Sequence, residues 1–210
     1  MNVLVVDMIE GFTRTGALAS PRVEALIPKQ VEFLKSLPSD AFIVFACDAH
    51  GPSDYEFKRM PVHCMAGSKE AEICPELLEA VSHIAEGNVV VVPKRTHSAF
   101  FGTNFDEILK MEDLKRLKTD PHIDDWTVIG CVTDVCVAAN VMELDYRGKN
   151  VTVYADLVDT YEITASQSVD ICGNMEKTHD PDIFNNLFFD YYLPGVWGVK
   201  VLVFEDPLVD

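Results

Sequence analysis

The sequence predicts an α/β fold: three layers, α/β/α, around a six-stranded, mainly parallel sheet. Three observations lead there. Apolar runs rich in Val and Ile alternate with segments of helical spacing for most of the chain. The runs carry apolar residues continuously, as strands buried on both faces do. Three of them also deliver chemistry to one place. Asn2–Asp7 (NVLVVD) ends on an acid, Asn88–Lys94 (NVVVVPK) on a base, and Asp125–Cys131 (DWTVIGC) leads through Val132-Thr-Asp-Val to Cys136. Ligands of open parallel sheets bind beyond the carboxyl ends of the strands, so an acid, an amine and a thiol on one rim read as a nucleophile with its activating groups.

Each element has its own reason. After the first strand, Val23, Ile27, Val31 and Leu34 give 21–37 a helical stripe. Ala41–Asp48 (AFIVFACD) is the second buried strand. Leu77, Leu78, Val81 and Ile84 make 75–85 a helix, with Gly87 in the position favoured just past a helix end. The third strand closes at Lys94, and 104–117 forms the next helix. The fourth strand feeds a helix over about 134–147, stopped by Gly148. Val151–Asp156 and Gly198–Phe204 supply the fifth and sixth strands. No repeat, linker or low-complexity segment interrupts 1–210, which reads as one domain. Two stretches break the rhythm. Gly51–Ser68 is a long connection, and 175–197 gathers Phe184, Phe188, Phe189, Tyr191, Tyr192 and Trp197. The helical spacing of Phe184, Phe188 and Tyr191 makes the second a packed helix and turn, with a lid or self-association surface as the other reading.

Bulk properties narrow the function. A net charge of −17 argues against sequence-independent contact with nucleic acid or anionic membrane. No apolar stretch approaches a membrane span, and Met1 leads directly into a strand without a basic signal region. Cys47, Cys64, Cys74, Cys131, Cys136 and Cys172 show no disulfide-like or CxxC spacing, so a reducing cytoplasm is the expected compartment.

Cys136 follows a turn at the strand rim, with Thr133 or Asp134 placed to cap a helix. A helix amino terminus stabilises a thiolate and offers N–H groups to an oxyanion. Cys131, inside its strand, reads as structural. Asp48-Ala-His50 opens the long connection. In an extended segment those two side chains share a side, and His63 adds a third ligand. Two imidazoles and a carboxylate suit one catalytic divalent ion, Zn²⁺ first, with Fe²⁺ or Mn²⁺ as alternates. Cys64 is a weaker candidate ligand. His83, His122 and His179 read as structural or exposed, whereas His97 lies beside Lys94 on the rim.

These motifs carry a family resemblance. Asp7…Phe12…Gly16-Ala17-Leu18, Lys94-Arg95…Ser98-Ala99-Phe100…Gly102-Thr103 and Gly130-Cys-Val-Thr133-Asp134-Val-Cys136-Val137 resemble the isochorismatase-like cysteine hydrolases, and within them the nicotinamidase/pyrazinamidase branch. The resemblance runs from residue 2 to about 156. It implies the isochorismatase-like hydrolase fold, a Cys136 nucleophile served by Asp7 and Lys94, a cis peptide between Cys131 and Val132, and an oxyanion hole from the N–H groups of Val132 and Cys136. It also implies metal ligation by Asp48, His50 and His63. Some relatives place a glutamate seven residues before the last histidine, where Glu56 stands, with Asp54 competing.

The implied activity is hydrolysis of nicotinamide to nicotinate and ammonia through a Cys136 thioester, the metal anchoring the ring nitrogen. The expected partner is a small-molecule amide. Phe12, Met60 and His97 are the candidate pocket walls. Two departures bear on substrate: Met-Ile-Glu10 follows Asp7 where many relatives have Gln-Asn-Asp, and Met60 replaces a ring-stacking Trp. The alternatives are a metal-independent relative acting on an N-carbamoyl or ureido amide, and a catalytically silent scaffold binding a partner through 175–197. Metal content separates the first, and a Cys136→Ala variant the second.

Overall fold

The protein's structure is a computed structural model, and it describes residues 1–116, 120–164 and 177–204. Cys172, Leu117 and the start of the aromatic stretch at Met175 lie outside the described residues. The elements in chain order are β1 (Asn2–Val6), α1 (Glu10–Thr13), α2 (Pro21–Glu24), α3 (Ile27–Lys35), β2 (Phe42–Asp48), α4 (Pro75–Ala80), β3 (Val89–Lys94), α5 (Phe105–Arg116), β4 (Asp125–Cys131), α6 (Ala138–Tyr146), β5 (Asn150–Asp159), β6 (Ile163–Thr164), β7 (Lys177–His179), α7 (Pro181–Leu187) and β8 (Lys200–Leu202).

Six strands form one sheet in the order β3-β2-β1-β4-β5-β8, and every neighbouring pair is parallel. The expected fold class is therefore present, with the sheet wholly parallel. The continuous apolar runs divide by period two. Val3, Val5, Ile43, Phe45 and Ile129 face one layer with Phe33, Leu34 and Leu77. Leu4, Val6, Val44, Val92 and Val128 face the other, against Phe105, Leu109, Val141 and Leu144. Burial on both faces explains why no polar residue alternates through β1 and β2. β3 is an edge strand, which is why it tolerates the exposed Pro93 and Val91.

Several boundaries differ from expectation. The 21–37 stripe is two helices, because Pro28 stands in the first turn of α3, where a proline starts a helix and cannot continue one. The 75–85 helix ends at Ala80, β5 extends to Asp159, and β8 shortens to Lys200–Leu202. The small antiparallel β6–β7 pair was not foreseen. Phe184, Phe188 and Tyr191 do not share a face: Phe184 stacks on His179 at 4.2 Å, Phe188 packs on Trp197, and Tyr191 is exposed. The helix expected over 134–147 is present, its first turn wider than an α-turn and continuous with α6. Thr133–Val137 forms a wider turn closed by the Val137 N–H donating to the Val132 carbonyl at 3.1 Å. Neither Thr133 nor Asp134 caps through its side chain.

The order reverses between β1 and β4, and that switch point is where Asp7 and Cys131 emerge. Close approach there depends on Gly130. It sits at φ 125°, and a Cβ on it would lie 2.0 Å from the Val6 carbonyl oxygen. Among the described residues no helix is long and apolar enough to cross a membrane. Gly130→Ala is expected to cost at least about 2 kcal/mol of stability through this overlap and the positive φ, read as a lowered urea midpoint.

Candidate active site and metal centre

Lys94 and Asp48 are register partners on neighbouring strands, so their side chains leave the sheet side by side. Asp7 follows β1 with φ 52°, a left-handed conformation rare for a non-glycine residue and concentrated at functional sites. That turn aims its carboxylate at the same point. Lys94 Nζ lies 2.7 Å from Asp7 Oδ2 and forms a second ion pair with Asp48 Oδ1. The remaining oxygen of Asp7 accepts the Asp48 backbone N–H at 2.9 Å. Cys136 Sγ completes the group, 3.7 Å from Lys94 Nζ. Asp7 and Lys94 are fully buried and Cys136 is 5% exposed.

Burial governs the protonation of these groups. It raises Asp7 to about 6, helped by the Asp48 charge and opposed by Lys94. Burial also pushes the Cys136 thiol well above its ordinary range, with Lys94 pulling it back. Burial disfavours the Lys94 ammonium, but Asp48 and Asp7 outweigh it and hold the charge. Burial therefore favours the Cys136 thiol over the thiolate, against the helix-terminus effect expected from the sequence, and Asp7 is the neighbouring carboxylate to which that proton can pass.

Val132 flanks the site through the cis Cys131–Val132 peptide that the family resemblance implied. The Val132 carbonyl also accepts N–H bonds from Val135 and Val137, so the Cys136 turn winds around that residue. Buried Asn140, unforeseen in the sequence, ties the turn to the Lys94 loop. Its Nδ2 donates to the carbonyls of Cys136 at 2.8 Å and His97 at 3.0 Å, while its Oδ1 accepts the Ala99 N–H at 2.8 Å. His97 Nδ1 thereby sits 3.8 Å from Cys136 Sγ.

Next to this group, Asp48 Oδ2 lies 3.5 Å from His50 Nε2 and 3.8 Å from His63 Nε2. Those separations are long for hydrogen bonds and close to the roughly 3.4 Å edge of a tetrahedral zinc sphere. Outer partners fix both rings. His50 Nδ1 meets Asp54 Oδ2 at 3.0 Å, and His63 Nδ1 meets the Pro61 carbonyl at 2.8 Å. In the neutral rings each Nε2 is then an acceptor turned toward an Asp48 oxygen; burial opposes charging either ring, but the Asp48 contact outweighs it and raises both histidines. Buried His50 Nε2 has no hydrogen-bond partner among the described residues. Positive charge is called for there, from protons on the imidazoles or from a cation, and the three side chains fit one divalent ion.

Glu56 and Asp54 separate here. Glu56 Oε1 lies 3.8 Å from His63 Nε2 on the open side. The Asp54 carboxylate is taken by His50, the Gly51 N–H and Arg95, which holds it below the usual carboxylate range.

Phe12 is buried with its ring 5.8 Å from His63, as a pocket wall would be. Phe57, which no sequence motif marked, packs on both ligand-type rings at 5.1 and 5.6 Å. Met60 is half-buried at the end of the same helical turn, and His97 is 42% exposed at the mouth. Glu56 and His97 line a surface cavity of about 340 Å³ with Arg59, Arg95 and Phe101. Tyr161 is a further missed neighbour: burial pushes its phenol up to about 12, with the charge of Asp134 adding. Cys64, whose thiol burial pushes well above its ordinary range, does not join the ligand cluster. His83 bonds two backbone carbonyls, and His122 is a surface partner of Asp125. Cys47, Cys64, Cys74, Cys131 and Cys136 are all unpaired.

A buried acid–lysine–thiol group at the switch point of a doubly wound sheet, beside an Asp48–His50–His63 cluster that could hold a metal ion, is an arrangement suited to hydrolysis. Residues 2–171 match the isochorismatase domain model, and the chain belongs to that family of hydrolases. It is 26% identical to the nicotinamidase of Escherichia coli over 178 residues, 73% of this chain and 80% of that one. Among solved structures it is similar to an N-carbamoylsarcosine amidase from Thermoplasma acidophilum (TM-score 0.69, 25% identity, 96% of this chain and 95% of that one). It also shares the fold of a Pyrococcus horikoshii pyrazinamidase in complex with zinc (TM-score 0.65, 22% identity, 97% and 98% covered).

Lys94→Met is expected to destabilise the protein by about 3–5 kcal/mol, because Asp7 and Asp48 would be left buried without a counter-charge; denaturant unfolding measures it. His50→Ala should reduce bound divalent metal from one ion per chain to a trace after dialysis, read by elemental analysis.

Proposed function

We propose that the protein is a metal-containing cysteine amidohydrolase and that nicotinamide-type primary amides are its substrates. The observation that carries this is the joint use of Asp48. One carboxylate oxygen pairs with the lysine beside the thiol and the other faces two imidazole nitrogens.

Asp7 takes the proton from Cys136 Sγ as the sulfur attacks the amide carbonyl carbon. The backbone N–H groups of Val132 and Cys136 receive the oxyanion. The C–N bond then breaks, and Asp7 returns the proton to the departing nitrogen, releasing ammonia and leaving an acyl thioester on Cys136. A water attacks that carbonyl, Asp7 accepts its proton, and the C–S bond breaks to give the acid and the resting thiol. Lys94 orients Asp7 throughout and favours its ionised form between proton transfers. A divalent ion held by Asp48, His50 and His63, with Glu56 as the fourth protein ligand, supplies a Lewis-acidic point of attachment for a ring nitrogen. Zn²⁺ suits that donor set best, with Fe²⁺ or Mn²⁺ as alternates. Phe12 and Phe57 give the ring apolar walls, and Met60 and His97 border its entry. The substrate is a small-molecule amide, and self-association is left to measurement.

The second reading is hydrolysis of an N-carbamoyl or ureido amide without metal, supported by the likeness to N-carbamoylsarcosine amidase. An ammonia-release screen over nicotinamide, pyrazinamide and N-carbamoyl amides, with metal-replete and chelated protein, separates the two. Nicotinamide or pyrazinamide turnover that chelation abolishes supports the first. Carbamoyl-amide turnover indifferent to chelation replaces it with the second. Cys136→Ala should lower turnover by more than about 10³-fold. Because Asp7 must be ionised to act as base and its pKa is raised to about 6, kcat/KM should fall as pH drops through that value.

A further inference from the structure

The nucleophile's turn is held from outside the triad. Asp134, two residues before Cys136, turns its carboxylate away from the helix it was expected to cap. Thr160 Oγ1, just beyond β5, donates to its Oδ1 at 2.7 Å, and His179 Nε2 lies 2.6 Å from its Oδ2. His179 is itself fixed. Its ring stacks on Phe184 at 4.2 Å with 2° between planes, and Tyr161 packs 5.4 Å away. The next residue, Asp180, caps α7 by accepting the N–H groups of Asp182 and Ile183. Asn185 and Arg22 both reach Asp159 at the end of β5, and Arg22 also pairs with Asp182. The C-terminal segment and the end of β5 therefore meet on one carboxylate of the nucleophile turn. The Asp134 side chain is 10% exposed and that of His179 is 11% exposed, so water competes little for the contact.

We propose that Asp134 and His179 form a positioning latch. Through it, β7 and α7 hold the Thr133–Val137 turn so that Cys136 Sγ stays aligned with Asp7. His179 touches neither substrate nor the reacting atoms in this scheme; it acts through Asp134 on the backbone that carries the thiol. Misplacing a nucleophile by a fraction of an ångström slows the chemical step more than it weakens substrate binding. The inference rests on Cys136 being the nucleophile, but one of its readouts needs no substrate.

The test compares wild type, His179→Ala and His179→Gln by three measurements. These are iodoacetamide alkylation of Cys136 followed on its own peptide, kcat and KM for the amide turned over, and Tm. Gln can donate to Asp134 from the position of Nε2, whereas Ala cannot. The latch predicts that His179→Ala lowers kcat about tenfold or more, with KM changed less than about threefold. It predicts an altered Cys136 alkylation rate in the same variant, and substantial recovery of both by Gln. Wild-type alkylation and kcat in His179→Ala overturn it. So does a Gln variant no better than Ala, because stability alone would then account for the loss. Should His179→Ala fail to fold, Thr160→Val removes the other bond to Asp134 and is judged the same way. Should no amide be hydrolysed at all, the alkylation comparison still decides the latch, and the amidohydrolase reading falls alone.

Discussion

The Lys94 ammonium held between Asp7 and Asp48 is the constraint from which the rest of the site follows. A fully buried lysine stays charged only because two carboxylates offset its desolvation, and each carboxylate is tolerated only because the lysine is there. The parallel sheet makes the arrangement reproducible. β2 and β3 are in register at Asp48 and Lys94, and β1 ends one strand over at Asp7. The same contact joins the two halves of the centre. Asp48 gives one oxygen to the lysine and the other to the histidine pair, so the charge state of the cation site bears on the base that serves the thiol.

Much of this was legible in the sequence because parallel strands write themselves plainly. The runs ending at Asp7, Asp48 and Cys131 are buried on both faces, the run ending at Lys94 is an equally apolar edge strand, and all four ends fall on one rim for topological reasons alone. Asp48 and His50 could be paired because an extended chain repeats every two residues. The family motifs added what spacing could not, including the cis peptide and the place of Val132.

What escaped was set by tertiary contact. The wide first turn at Thr133–Val137 leaves no mark in apolar periodicity, so the helix start at Cys136 was legible but the width of its turn was not. Asn140 looks like any polar residue of an amphipathic helix until its two bonds to the loop after Lys94 and its third to the Cys136 carbonyl appear. Phe57 lies in a segment without regular spacing. His179 read as one of three unremarkable histidines, because its partner Asp134 is far away in the chain. That Arg95 and His50 already engage Asp54 is likewise a matter of side-chain geometry that no motif encodes.

The central claim is that a buried thiol, not the cation site, forms the covalent intermediate. Intact-protein mass spectrometry of enzyme acid-quenched during steady-state turnover of an amide substrate tests it most directly. The account predicts a mass increase equal to the acyl group, mapped to the Cys136 peptide and lost on hydroxylamine treatment. Steady turnover with no adduct in wild type, together with ammonia release undiminished in Cys136→Ala, would contradict it.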